Sequence, residues 1–188
     1  MTAVVVLLVL VVLFVIIAIV MFNSLVQLRN RVENAWAQID VQLKRRFDLI
    51  PNLIETVKGY AAHEKGTLDA VIQARNSAIS ASAGGSGSAA AAAAADTNLT
   101  ASLRQVFALS EAYPDLKANQ NFLALQEELS STEGKISYAR QFYNDTVMKY
   151  NTKIEQFPTS ILAGMKKMVH REYFQTDEAS REVPKVQF

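Results

Sequence analysis

The sequence predicts an all-α protein: one N-terminal transmembrane helix followed by a globular bundle of helices. Three observations carry that prediction. Residues 3–22, AVVVLLVLVVLFVIIAIVMF, hold no charge, no amide side chain and no proline. Beyond them, apolar residues return in steps of three and four, the pattern of a helix buried along one face. Apolar residues make up 50% of the 188, enough to bury a core.

The N-terminal run comes first. As a helix, residues 3–22 extend about 30 Å, the thickness of a bilayer's hydrocarbon layer. A buried core helix is rarely apolar on every face over this length. A cleavable signal peptide wants a basic leader and a small-residue cleavage site, whereas Met1 and Thr2 precede this run and MFNSL closes it. Residues 1–22 are therefore read as an uncleaved anchor with a very short N-terminal tail. No Lys or Arg precedes the run, while Arg29 and Arg31 follow it, so the C-terminal body is predicted to lie in the cytoplasm and the N-terminus outside.

In the body, Leu25, Leu28, Val32, Trp36, Ile39, Leu43, Phe47, Ile50, Ile54, Val57 and Ala61 form a stripe averaging 3.6 residues per step. Pro51 falls inside the stripe without disturbing its phase, which resumes through Leu68, Ile72 and Ile79. Two structures satisfy this. In one, a long helix kinks, with the Phe47 carbonyl freed by the missing N–H of Pro51. In the other, Asp48 caps a new helix with Pro51 in its first turn, and the chain reverses.

Residues 80–98, SASAGGSGSAAAAAAADTN, are low in complexity and predict a flexible loop, with the alanines available as the opening turns of the next helix. That helix, through Leu99, Leu103, Val106, Phe107 and Leu109, must end near Tyr113 because Pro114 disfavours helix before it. A last long helix places Phe122, Leu125, Leu129, Ile136, Tyr143, Val147, Tyr150, Ile154 and Phe157 on one stripe and closes at Pro158. Gly134 weakens it by about 1 kcal/mol unless another backbone packs there. A short amphipathic piece spans Ile161 to Val169. Residues 175–188, with charges and Pro184, predict a mobile tail.

Composition excludes several chemistries. Lys plus Arg number 19 against 18 Asp plus Glu, so there is no global pull toward nucleic acid. Cysteine is absent, which removes disulfides, thiolate metal sites and cysteine nucleophiles. The only histidines, His63 and His170, lie far apart. His63-Glu64 invites comparison with the HExxH zinc-protease motif, but position 67 is threonine, and a helical surface pair is the better reading. None of Glu127, Glu128 and Glu133 has a histidine three residues on, as di-iron bundles require. No catalytic, metal or cofactor residues are assigned, and no enzyme activity is expected.

Two motifs remain. Lys44, Arg45 and Arg46 form a possible interaction patch, set against a solvated face partly paired to Asp40 and Asp48. Lipid is too far: Lys44 lies about 33 Å beyond the membrane end of a straight helix. Tyr-Asn recurs at 143–144 and 150–151, on nearly one side of a helix. The tyrosines are expected in the core, and Asn144 and Asn151 as hydrogen-bonding across helices to fix register.

The stretches LRNRVENAWAQIDVQLKRRFDLIPNLIETVKGYAAHE at 28–64 and YPDLKANQNFLALQEELSSTEGKISYARQFYNDTVMKYN at 113–151 closely resemble the LemA family of bacterial membrane proteins, as do FPTSILAGM at 157–165 and REYF at 171–174. The resemblance implies an anchor in the bacterial inner membrane and, over residues 23–174 beyond it, an antiparallel four-helix bundle of long helices. A reversal near Pro51 would supply one of the four, which tilts that choice toward the turn. It carries over no catalytic residue. The expected role is a single-pass, self-associating scaffold whose partners are the bilayer, its own copies and other membrane proteins; the alternative is an accessory sensor or regulator of a membrane enzyme such as a protease.

Overall fold

A computed structural model describes residues 1–175; the predicted tail lies outside them from residue 176 onward. The described chain is all-helical: α1 (Thr2–Lys58), α2 (Lys65–Ser82), α3 (Ala89–Ala112), α4 (Pro114–Lys117), α5 (Gln120–Glu155) and α6 (Thr159–Met165). There is no strand among the described residues.

Helix α1 runs 57 residues without a break. Every large apolar side chain from Val4 to Ile17 is exposed. From Leu25 onward the stripe turns inward: Leu25, Val32, Trp36, Ile39, Leu43, Phe47, Ile50, Ile54 and Val57 are all buried. Each large aliphatic side chain so removed from water contributes about 1.5–3 kcal/mol.

Pro51 lies inside α1, so the expected reversal there does not occur. The Phe47 carbonyl that Pro51 leaves without its helical donor instead accepts a hydrogen bond from Arg75 Nε of α2, at 2.7 Å. A neighbouring helix thus satisfies the group that would otherwise argue for ending α1. The chain reverses later, at 59–64, where the Tyr60 and Ala61 amides both donate to the Val57 carbonyl, at 3.0 and 2.8 Å. That turn resets the helical phase. In α2 the buried positions are Leu68, Val71, Ala78 and Ser82, while Ile72 and Ile79, placed on the stripe by sequence, face outward.

The Gly/Ser/Ala stretch at 80–98 is helical on both sides of a short reversal at 83–88, so it is far less of a loop than its composition suggests. Gly85 sits at φ 63°, a backbone conformation that favours glycine, and a four-residue 3-10 turn leads into α3. Ala89, Ala92 and Ala93 are buried, so the alanine run is interior helix face. Helix α3 stops at Ala112 ahead of Pro114, and the Asn119 side chain caps α5 by accepting from Phe122 N at 3.0 Å.

Helix α1 packs chiefly against α5, and α2 against α3. Along the first pair, Ser24 and Leu28 lie beside Lys153 and Gln156, Trp36 beside Tyr143, and Arg45 beside Glu128. Phe107 of α3 meets Phe122 of α5 edge-on, with ring centroids 6.1 Å apart. Helix α6 folds back against α5 and the N-terminal part of α1, around residues 14–22. A Cβ on Gly134 would meet nothing within 4 Å, so no backbone packs against it.

Candidate functional site

Lys44, Arg45 and Arg46 do not form one patch, because successive helical residues point about 100° apart. Lys44 is exposed, beside Asp40, Asp48 and Arg75 in a shallow groove. Arg45 is half-exposed and pairs with Glu128 of α5. Arg46 is only 3% exposed and enters the core, so the expected solvated face is corrected at this residue.

There Arg46 Nη1 donates to Asp96 Oδ1 at 2.9 Å and lies 2.7 Å from Glu133 Oε2, while Arg46 Nη2 donates to Thr100 Oγ1 at 2.9 Å. Asp96 also receives Arg140 Nη2. Three long helices therefore meet at Asp96, whose side chain is 1% exposed. Burial pushes its carboxyl above the usual value, against the opposing pull of Arg46 and Arg140; Glu133 pushes it the same way as burial. Sequence reading missed Asp96, since it ends an alanine run. Its only signal is an acidic residue on the face that Ala89, Ala92 and Ala93 bury.

The second cluster is built on the repeated Tyr-Asn pairs. Their asparagines bond an extended segment, residues 169–174, rather than another helix as expected. Asn144 Nδ2 donates to the Phe174 carbonyl at 3.0 Å, and the Phe174 amide donates to Asn144 Oδ1 at 2.9 Å. Asn151 does the same with Arg171, at 3.0 and 2.9 Å. Seven residues of α-helix span about 10.5 Å and three residues of extended chain about 10 Å, so two asparagines a heptad apart match every third residue of a strand-like segment.

The tyrosines complete the clamp, and both are buried as the sequence predicts. Tyr150 Oη donates to the Val169 carbonyl at 3.2 Å, and Tyr143 Oη to the Glu172 carbonyl at 2.9 Å. Burial first, then Glu33 and Glu172, push the Tyr143 hydroxyl up to about 12 despite Arg171, so it remains a donor at neutral pH. Phe174 itself is buried against Trp36, with Arg140 4.9 Å above its ring. Glu33 ties the segment to the α2–α3 turn, accepting from Arg171 Nη2 at 2.7 Å and from Ser86 Oγ at 2.9 Å. The arrangement is chemically a main-chain clamp: it reads backbone amides and carbonyls and one aromatic side chain.

His63 lies in the turn between α1 and α2 rather than on a helix, and Glu64 accepts from Tyr113 Oη at 3.0 Å. The helical pairing expected for His63 and Glu64 is thereby corrected. Among the described residues, no group of three or more His, Asp or Glu side chains is placed to hold a metal ion.

Comparison with known proteins matches residues 35–188 to the LemA family. A Protein LemA from Metamycoplasma hominis is 27% identical, over 85% of this chain and 71% of its own length. Two proteins from Paramagnetospirillum magneticum, Magnetosome protein MamQ 1 and Magnetosome protein MamQ 2, are each 24% identical over 84% of this chain, which spans 66% of their length. The family match covers most of the chain, including the helices that build the Asp96 cluster and the Tyr-Asn clamp: this protein belongs to the LemA family.

Proposed function

We propose that the protein is a membrane-anchored helical scaffold of the bacterial envelope, which acts by presenting its body to its own copies and to other membrane proteins, without catalysis. The body is read as an antiparallel four-helix bundle of α2, α3, α5 and the part of α1 beyond the membrane, held on the cytoplasmic side of the inner membrane by Arg29 and Arg31. The observation that carries this reading is the continuity of α1, in which one 57-residue helix is both the apolar span and the spine of the body. Copies in one bilayer then hold equivalent surfaces at equal height, the condition for a two-fold contact about the membrane normal.

The groove between α1 and α5 suits such a contact. Ala37, Val41, Gly134 and Tyr138 line it, and Val41 and Tyr138 are 61% and 74% exposed. Large apolar side chains flanking small residues favour close approach by a second helical surface. Two relatives carry the name of magnetosome proteins, which agrees with a role in a cellular assembly. Crosslinking in intact membranes followed by affinity capture tests the reading: adducts between copies are expected to dominate. Recovery of one membrane enzyme as the dominant adduct, with no homotypic product, would favour an accessory regulator instead.

A further inference from the structure

Phe157, Ile161, Met165 and Val169 recur in steps of four around α6, and they are 81%, 57%, 76% and 68% exposed. On the other side of the same segment Thr159 and Ala163 are buried against the body. A water-facing apolar row of this kind is unusual unless something covers it.

Its position says what covers it. Leu162 and Met165 share an apolar groove with Phe14, Val15, Ala18 and Phe22 of α1, and Lys166 Nζ lies 5.6 Å from the centre of the Phe22 ring. Phe14 precedes Phe22 by eight residues, about 12 Å along the helix axis, which is inside the hydrocarbon layer if residues 3–22 span it. Side chains that reach those residues from outside the span must themselves enter the bilayer interface. Lys166 and Lys167 follow α6 directly, and Arg31, Lys149 and Lys153 line a separate groove between the same end of α5 and another face of α1. Glu155, the last residue of α5, lies 3.2 Å from His170.

We propose that α6 and its flanks form a second membrane contact: Phe157, Ile161 and Met165 rest in the boundary between headgroups and acyl chains of the bilayer that holds α1, and Lys166 and Lys167 engage anionic headgroups. Apolar side chains below and lysines above are what an interfacial segment requires, with the lysine stems extending to the headgroup level. The body is thereby seated on the membrane rather than held away from it on a stalk. This inference rests on the reading of residues 3–22 as the span.

The chain has no cysteine, so single labels can be placed on the full-length protein. Spin labels on Ile161→Cys, Met165→Cys, Val9→Cys and His63→Cys, in nanodiscs of phosphatidylcholine with or without phosphatidylglycerol, report collisions with oxygen and with a nickel chelate; His63 is exposed in the turn at the far end of α1. The expected result is deep immersion at position 9, shallow immersion at 161 and 165, and aqueous exposure at 63. Phosphatidylglycerol should deepen 161 and 165, and adding Lys166→Glu and Lys167→Glu should reverse that shift. Labels at 161 and 165 as nickel-accessible as at 63, with position 9 immersed, would overturn the footing alone. Labels shielded from both oxygen and nickel would assign the row to a protein contact and overturn it too. Nickel access at position 9 would remove the span and the footing together.

Discussion

Asn151 and Arg171 exchange two hydrogen bonds, side-chain amide to main chain, at 3.0 and 2.9 Å, and Asn144 repeats the arrangement with Phe174. Only an amide both donates and accepts in this way, so the identity of the side chain matters more than its size. Asn151→Ala should strip both bonds and weaken docking of residues 169–174 by about 1–3 kcal/mol. Asn151→Asp, which keeps the acceptor alone, should fall between. Hydrogen exchange at the Arg171 and Phe174 amides measures it, and unchanged protection in the alanine variant would refute the clamp.

Arg45 and Arg46 are neighbours in sequence with opposite surroundings. Arg46→Ala leaves Asp96 buried with one guanidinium fewer and should lower stability by about 3–5 kcal/mol, as expected when one partner of a buried ion pair is removed. Arg45→Ala breaks a half-exposed pair with Glu128 and should change stability by less than about 1 kcal/mol. Chemical denaturation of the detergent-solubilised protein compares them, and equal effects would contradict the burial described.

The pH dependence follows from Asp96. Its folded-state carboxyl lies above the ordinary value of 3.8, so the native state holds this proton more tightly than the unfolded chain. The Asp96 contribution is therefore greatest below pH 3.8, falls as pH rises through the raised folded-state value, and is flat above it. The stability of wild type relative to Asp96→Asn should decline over that window. A difference that grows with pH would mean that Arg46 and Arg140 outweigh burial.

Pro51 and Arg75 are coupled through the Phe47 carbonyl. With proline present, Arg75→Ala leaves that carbonyl without its donor from α2 and should reduce stability by about 1–3 kcal/mol. With Pro51→Ala, residue 51 regains an N–H and the same loss should shrink. Pro51→Ala alone should leave stability unchanged or raised. Additive effects of the two substitutions would show that Arg75 does not stand in for the missing amide.

The stripe from Leu25 to Val57 was legible in sequence because burial on one face enforces a period that local residues record. The reversal after α1 was harder to place. Proline is a strong local signal, yet the decisive group, Arg75, lies 28 residues away from the carbonyl it satisfies. Composition misled over the extent of the loop at 80–98: the reversal is confined to 83–88, while the alanines do open the next helix, as a face pressed against the core. Lys44, Arg45 and Arg46 were visible as a charge run, but which of them turns inward depends on Asp96, 50 residues on, and Glu133. The Tyr-Asn repeat was legible as a register device, while its partner is an extended segment with no periodic signature of its own.

Association of anchored copies through their bodies, as proposed, is tested most directly by counting chains in native membranes. A fluorophore-binding tag fused after Phe188, expressed at native level and followed by single-molecule photobleaching, should give two or more steps per spot. Replacing Val41 and Tyr138 together with aspartate should return most spots to one step while leaving membrane insertion intact. One bleaching step per spot for the unmodified protein, at full labelling, would contradict the account.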